Sequence, residues 1–297
     1  MSLINVEASR PIPMWATVRL LASSRRPISV ERAQRLLSPK ALGDTSPAMV
    51  DLAIKTLEDL RMLQRSDDSI SLSGHAASLD GSDWSAFCSA LRKAVFEPYQ
   101  NEALADGGKA TGSADLVRGL CWFLSLDPTA VAVGPSDFED LQKEALIPEA
   151  RPAIANKERW SNFGPWASTL GFAATALPTM GGASSYVADC TVAVRQTILE
   201  TWRPDEHVNT MVLLSTLREK IPVLPGGSYS RSLGVKDPGD TQAGRSLSFA
   251  LLRGQEEGWL KFEREADAHY LLHIYDPERP ATPHSFSTVI VLEDGNG

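Results

Sequence analysis

The side chains best suited to chemistry are few and scattered. Five histidines occur, His75, His207, His269, His273 and His284. Histidine is the residue most able to move a proton or hold a metal near neutral pH. His269 and His273 stand four apart, but on a predicted strand, with no cysteine or carboxylate set at ligand spacing, so no zinc site is expected. The cysteines, Cys88, Cys121 and Cys190, are odd in number, far apart and not in CxxC pairs. They read as reduced core thiols of a cytoplasmic protein. The chain holds no GxSxG, HExxH, GxGxxG, kinase or Walker signature. "LPTMGGASS" lacks the GxxxxGK[ST] that wraps a phosphate. "GGSYSRS", carrying Arg231 with Arg245 and Arg253 farther on, could seat a phosphate, though such a turn more often only reverses the chain. The expectation is no catalytic residue, no cofactor and no metal, and hence no enzyme.

Basic residues offer a second kind of chemistry, the grip on a phosphate backbone. From Arg10 to His75 there are ten Lys and Arg against seven Asp and Glu. If this region binds DNA, Arg25, Arg26, Arg32 and Arg35 are the candidate phosphate contacts, and Lys55 and Arg61 the candidate groove readers. The segment meant to enter the groove also carries Asp51, Glu58 and Asp59. The hairpin tip "SDD" puts acid where a DNA-gripping wing offers Lys or Arg. That balance favours docking on a protein over reading bases.

These residues need elements to position them. "MWATVRLLASS" follows Pro13 with helical spacing at Trp15, Val18 and Leu21 or Ala22. Ser29 caps "VERAQRLLSP", and Pro39 and Gly43 end it. Ser46 and Pro47 open a third helix, with Val50, Ile54, Leu57 and Arg61 along one side. "MLQRSDDSISLS" alternates as a short hairpin. Three helices and a hairpin over residues 10–75 predict a winged-helix domain.

Residues 76–204 predict a helical middle domain. Trp84, Phe87, Leu91 and Val95 share one helical face, and Val187, Cys190, Val194 and Ile198 another. Ser136 and Glu139 form a capping-box pattern. Trp160, Phe163 and Trp166 could stack bases, but few cations surround them, so they read as core. Residues 205–297 predict a second winged-helix domain. It runs from a helix over "DEHVNTMVLLSTLREKI" through a short helix and a third helix, "GDTQAGRSLSFALLRGQEEG". A hairpin follows, from Trp259 through a "READA" tip, returning over Tyr270 to Ile274. The fold class is therefore mainly α with small β-hairpins (α+β), two winged-helix units flanking a helical middle.

The whole chain of 297 residues carries a net charge of -8 and is 43% hydrophobic. That composition supports packed cores and argues against disorder. An acidic balance leans against a protein that coats nucleic acid. The start, "MSLINVEASRPIPMWATVRLLASSRR", does not read as a secretory signal, and no apolar run is long enough to span a membrane.

The segments "LVRGLCWFLSLDP", "ERWSNFGPWASTLGFA" and "VADCTVAVRQTIL", set between the two predicted winged helices, resemble those of DpdG proteins, and the resemblance covers most of the chain. It implies an accessory subunit of bacterial clusters that install 7-deazaguanine in DNA and act against foreign DNA, and it carries over no catalytic residues. Two functions follow. One is a non-catalytic scaffold that binds partner proteins of a DNA-modification or anti-phage defence complex. The other is a DNA-binding targeting subunit or regulator that uses the basic first domain on double-stranded DNA.

Overall fold

The computed structural model describes residues 2–5, 8–24, 26–39, 47–106, 112–182, 184–280 and 284–293. The chain divides into two compact units. Met1–Ala103, Lys109–Val117 and Ala155–Leu170 form the first; Leu104–Gly108, Arg118–Ile154 and Gly171–Gly297 form the second. Residues 76–204 are therefore divided between them. The described secondary structure is helical, with small antiparallel sheets.

The first unit opens with α1 (Pro11–Ser24), β1 (Ile28–Ser29), α2 (Val30–Leu37) and α3 (Pro47–Asp59). The expected cap at Ser46 and the stop at Gly43 lie outside the described residues. The cap at Ser29 forms as expected: its hydroxyl accepts from the backbone N–H of Arg32. β2 (Leu63–Ser66) and β3 (Ser69–Leu72) make the predicted hairpin, and β1 adds to it in the order β1-β3-β2. Ile28 pairs with Ile70, and Leu63 with Leu72. This register turns Ile28, Leu63 and Ile70 inward, where they are buried with Met14, Val18 and Leu21 of α1 and Val50, Ile54 and Leu57 of α3. Burial of each such side chain contributes roughly 1.5–3 kcal/mol.

Gly74 closes this module. Its φ is +52°, and a Cβ there would lie 2.4 Å from the carbonyl oxygen of Arg61. No side chain fits that approach.

The chain continues through α4 (Trp84–Phe96), whose Phe87, Leu91 and Val95 are buried. α5 (Ala114–Phe123) runs across the division, α6 (Phe138–Ala145) lies in the second unit, and α7 (Lys157–Thr169) in the first. The capping box at Ser136 does not form. α6 begins one position later than the pattern implied, and the Ser136 hydroxyl donates to Asp137 instead. Asp115, buried in the first unit, accepts from the Ser2 hydroxyl and lies 3.6 Å from Arg159 of α7.

In the second unit, β4 (Ala174–Thr175) pairs with β5 (Tyr186–Val187), and α8 (Thr191–Thr201) follows. Val187 thus lies in a strand, and the apolar stripe expected from it belongs to the helix only after Cys190. The helix expected from Asp205 begins later. Residues His207–Asn209 form β6, and Asn209 caps α9 (Thr210–Lys220). α10 (Ser228–Ser232) and α11 (Arg245–Glu256) come next, and α11 packs on α8.

β7 (Leu260–Glu263) does not pair with the segment expected to return. That segment, β8 (Leu272–Ile274), pairs with β9 (His284–Phe286). β7 pairs instead with β10 (Thr288–Val291), which also takes β6, in the order β6-β10-β7. Val289 is buried between Val208 and Phe262. An alternating pattern marks a strand, but not which distant strand completes its hydrogen bonds.

Candidate nucleic-acid and docking face

The cap at Ser29 sets the phase of α2 and turns Arg32 and Arg35 to solvent. Arg26 is exposed just before it. Arg25 lies outside the described residues. Arg35 stands 3.8 Å from Glu31, one helical turn earlier and equally exposed. Such a pair contributes a few tenths of a kcal/mol. Arg26 and Arg32 have no ion pair among the described residues. The structure thus gathers Arg26, Arg32 and Arg35 along α2 and its approach.

The two candidate groove readers separate. Lys55 is exposed on α3. Arg61 lies past the end of that helix, in the left-handed region at φ 54°. Its guanidinium sits 3.9 Å from the centre of the Tyr99 ring. That stacking partner is far away in sequence and carries no pattern to announce it. Arg65 of β2 reaches back to Glu58, with Nε 2.7 Å from a carboxylate oxygen. That hydrogen bond raises the Arg65 pKa above its ordinary value.

The acidic side chains face outward. Asp51 accepts from Gln34 at 2.7 Å, and Asp51 and Asp59 are exposed. The hairpin tip is Asp67, at φ 51°, and Asp68, both exposed. The Asp68 carbonyl accepts from the N–H of Val30 at 3.0 Å, which ties the tip to the start of α2. Leu36 of α2 and Met49 of α3 are 53% and 56% exposed.

The other candidate sites resolve differently. Trp160 and Trp166 are 1% and 0% exposed, so neither ring is open to a base. His269 is exposed in the turn before β8, and only His273 lies on the strand; its Nδ1 is 2.9 Å from the Ser285 hydroxyl. His75 and His284 face Glu97 and Asp276 at 2.8 and 3.4 Å. No group of three metal-ligating residues occurs among the described residues.

The "GGSYSRS" turn wraps a buried arginine. A Cβ on Gly226 would lie 2.5 Å from Cζ of Arg218. Arg218 donates to the carbonyls of Pro225, Gly239 and Gln242 at 3.0–3.1 Å. Burial lowers its pKa. Arg231 from the same turn is engaged with Asp237 at 2.8 Å.

All three cysteines are free thiols and buried. Burial pushes Cys88 and Cys121 up to about 12, and Cys190 upward as well. No described helix is long and apolar enough to cross a membrane.

Among curated proteins, a "Proteasome subunit beta" of Mycobacterium sp. (strain KMS) is 40% identical over 77 residues, 26% of this chain. Those of strains JLS and MCS match equally. The chain spans 22% of the length of these relatives. No solved structure matches. The model of the family described as DpdG-like matches residues 1–268, so the chain belongs to the DpdG-like family, which ties it to a 7-deazaguanine modification system.

Proposed function

We propose that this chain is a non-catalytic accessory subunit of a DNA-modifying, anti-phage defence complex, and that it works by docking on partner proteins through an N-terminal winged helix. The order α1, β1, α2, α3, β2, β3, with β1 added to the hairpin, supports a winged-helix reading of this module. The observation that carries docking over DNA is the exposed Asp67–Asp68 tip. A wing of that sign is repelled by phosphate. The exposed Leu36 and Met49 supply the apolar surface that a protein partner can cover.

Fluorescence anisotropy on a random duplex tests this directly. The expected result is no binding at ~50 or ~200 mM salt, a range in which six to ten phosphate contacts would change affinity by roughly a thousandfold or more. Replacing Asp67 and Asp68 together by Lys should create weak, salt-sensitive binding. Steep salt-dependent binding by the unaltered protein would overturn the docking reading. Arg26 and Arg32, which have no ion pair among the described residues, favour a second reading, a DNA-targeting subunit. Under that reading Arg32→Glu with Arg35→Glu abolishes binding.

A further inference from the structure

The second unit contains a cavity of about 680 Å³ that the docking reading does not use. Its volume is within the range of small-molecule sites. Lys236, Arg245, His273 and Tyr275 line it, drawn from three separate segments. The segments of Arg245 and of His273 and Tyr275 are fixed to one another. The N–H of Ala243 donates to the His273 carbonyl at 3.1 Å, and the His273 N–H to the Thr241 carbonyl at 2.8 Å. The Tyr275 N–H donates to the Ser248 hydroxyl at 3.0 Å. Those two walls are held before any ligand arrives.

The two cations differ in how far they are engaged. The Arg245 guanidinium lies 3.2 Å from the centre of the Tyr275 ring, and its nearest carboxylate, Asp127, is 3.6 Å away. The N–H and hydroxyl of Thr129 both donate to the other oxygen of Asp127, so a phosphate must compete with Asp127 for Arg245. Lys236 is exposed and has no ion pair among the described residues. Asp237 shares the cavity, but Arg231 and the N–H of Gly239 occupy its two oxygens, each at 2.8 Å. His273 uses Nδ1 on Ser285, which leaves Nε2 for a ligand. Glu144 opposes an anion: it is exposed at the cavity and unpaired among the described residues. The start of α11 at Gly244 has no side-chain cap and adds partial positive charge to the same wall.

We propose that this cavity binds a small phosphate monoester, with Arg245 and Lys236 on the phosphate oxygens and His273 as a further donor. Arginine held against an aromatic ring offers its fork to phosphate with less ordering left to do. The volume is that of a small-molecule site, so a free phosphate monoester is the occupant proposed.

Isothermal titration calorimetry on the full chain, with inorganic phosphate, adenosine 5′-monophosphate and adenosine, tests the assignment. The expected result is one site for the monophosphate, with adenosine at least ~10-fold weaker because the charge-assisted hydrogen bonds are lost. Lys236→Ala, a surface change with little bearing on folding, and Arg245→Ala should each weaken the monophosphate by roughly 10-fold. Glu144→Gln should tighten it. The proposal fails if neither inorganic phosphate nor the monophosphate binds. It also fails if Lys236→Ala and Arg245→Ala bind as the unaltered chain does, or if a 5′-phosphorylated oligonucleotide binds far more tightly than the monophosphate.

Discussion

The element series α1, β1, α2, α3, β2, β3 and the series α8, β6, α9, α11, β7, β10 run in the same order, the second with α10 added before α11. In each, a short strand joins the later pair, and the third helix packs on the first. They differ in what fills them. α3 is packed mainly by apolar side chains, with Thr56 the exception: its hydroxyl donates to the Leu52 carbonyl and accepts from the N–H of Ser9. α11 buries two serines. Ser246 donates to the Leu124 carbonyl at 2.6 Å, and Ser248 accepts from Tyr275. The hairpin β2–β3 turns over Asp67–Asp68, whereas 264–287 intervene between β7 and β10 and hold a second ribbon. The same plan therefore makes, in one case, a module whose third helix is packed mainly by apolar side chains and which meets the rest of its unit at its ends, through Gln100 on the Asp59 carbonyl and Tyr99 under Arg61. In the other, buried serines of the third helix bond it to the rest of its unit, and a cavity lies beside those bonds.

The comparison can be broken first at the cores. Leu57→Ala and Leu251→Ala each empty a fully buried site on the third helix and should cost ~2–5 kcal/mol. If the modules melt separately, calorimetry will show each change moving a different transition; one transition moved equally by both would erase the distinction. Arg218→Ala should follow. It leaves three carbonyls without their donor, at about 3 kcal/mol, and should act on the second unit alone. Ser29→Ala and Asn209→Ala remove caps at equivalent places. Each should cost ~1 kcal/mol in chemical denaturation, and unequal losses would show that the two second helices are not equally supported.

The smallest effect concerns pH. Burial raises the Asp237 carboxyl, but the N–H of Gly239 and the Arg231 guanidinium outweigh it, and the net shift is downward. A lowered folded value gives stability that is present above the ordinary carboxylate range and is lost as pH falls through the folded value. Asp237→Asn should flatten only that acid limb. The carboxylate is 37% exposed, so screening keeps the effect slight.

The first module was legible because its signals are local. Ser29 sits at its cap, and the "SDD" turn joins strands only a few residues apart. The second was legible in its helices but not in its sheet, since β6 meets β10 across some eighty residues of chain. Hydrophobic alternation cannot name such a partner. The same limit applied to the candidate site. Arg26, Arg32 and Arg35 follow from the phase of α2, while the stacking of Arg61 on Tyr99 and the bond from Arg65 to Glu58 depend on tertiary contacts. The cavity left no motif, because its cations come from separate segments.

The buried thiols make the molecule its own reporter of opening. A thiol alkylates as thiolate, and burial withholds both the thiolate and access to it. Cys88 lies in the first unit, and Cys121 and Cys190 in the second. In the native protein a maleimide should therefore find all three slow, and the order in which they become reactive under mild denaturant would rank the local opening free energies of the two units without any introduced label.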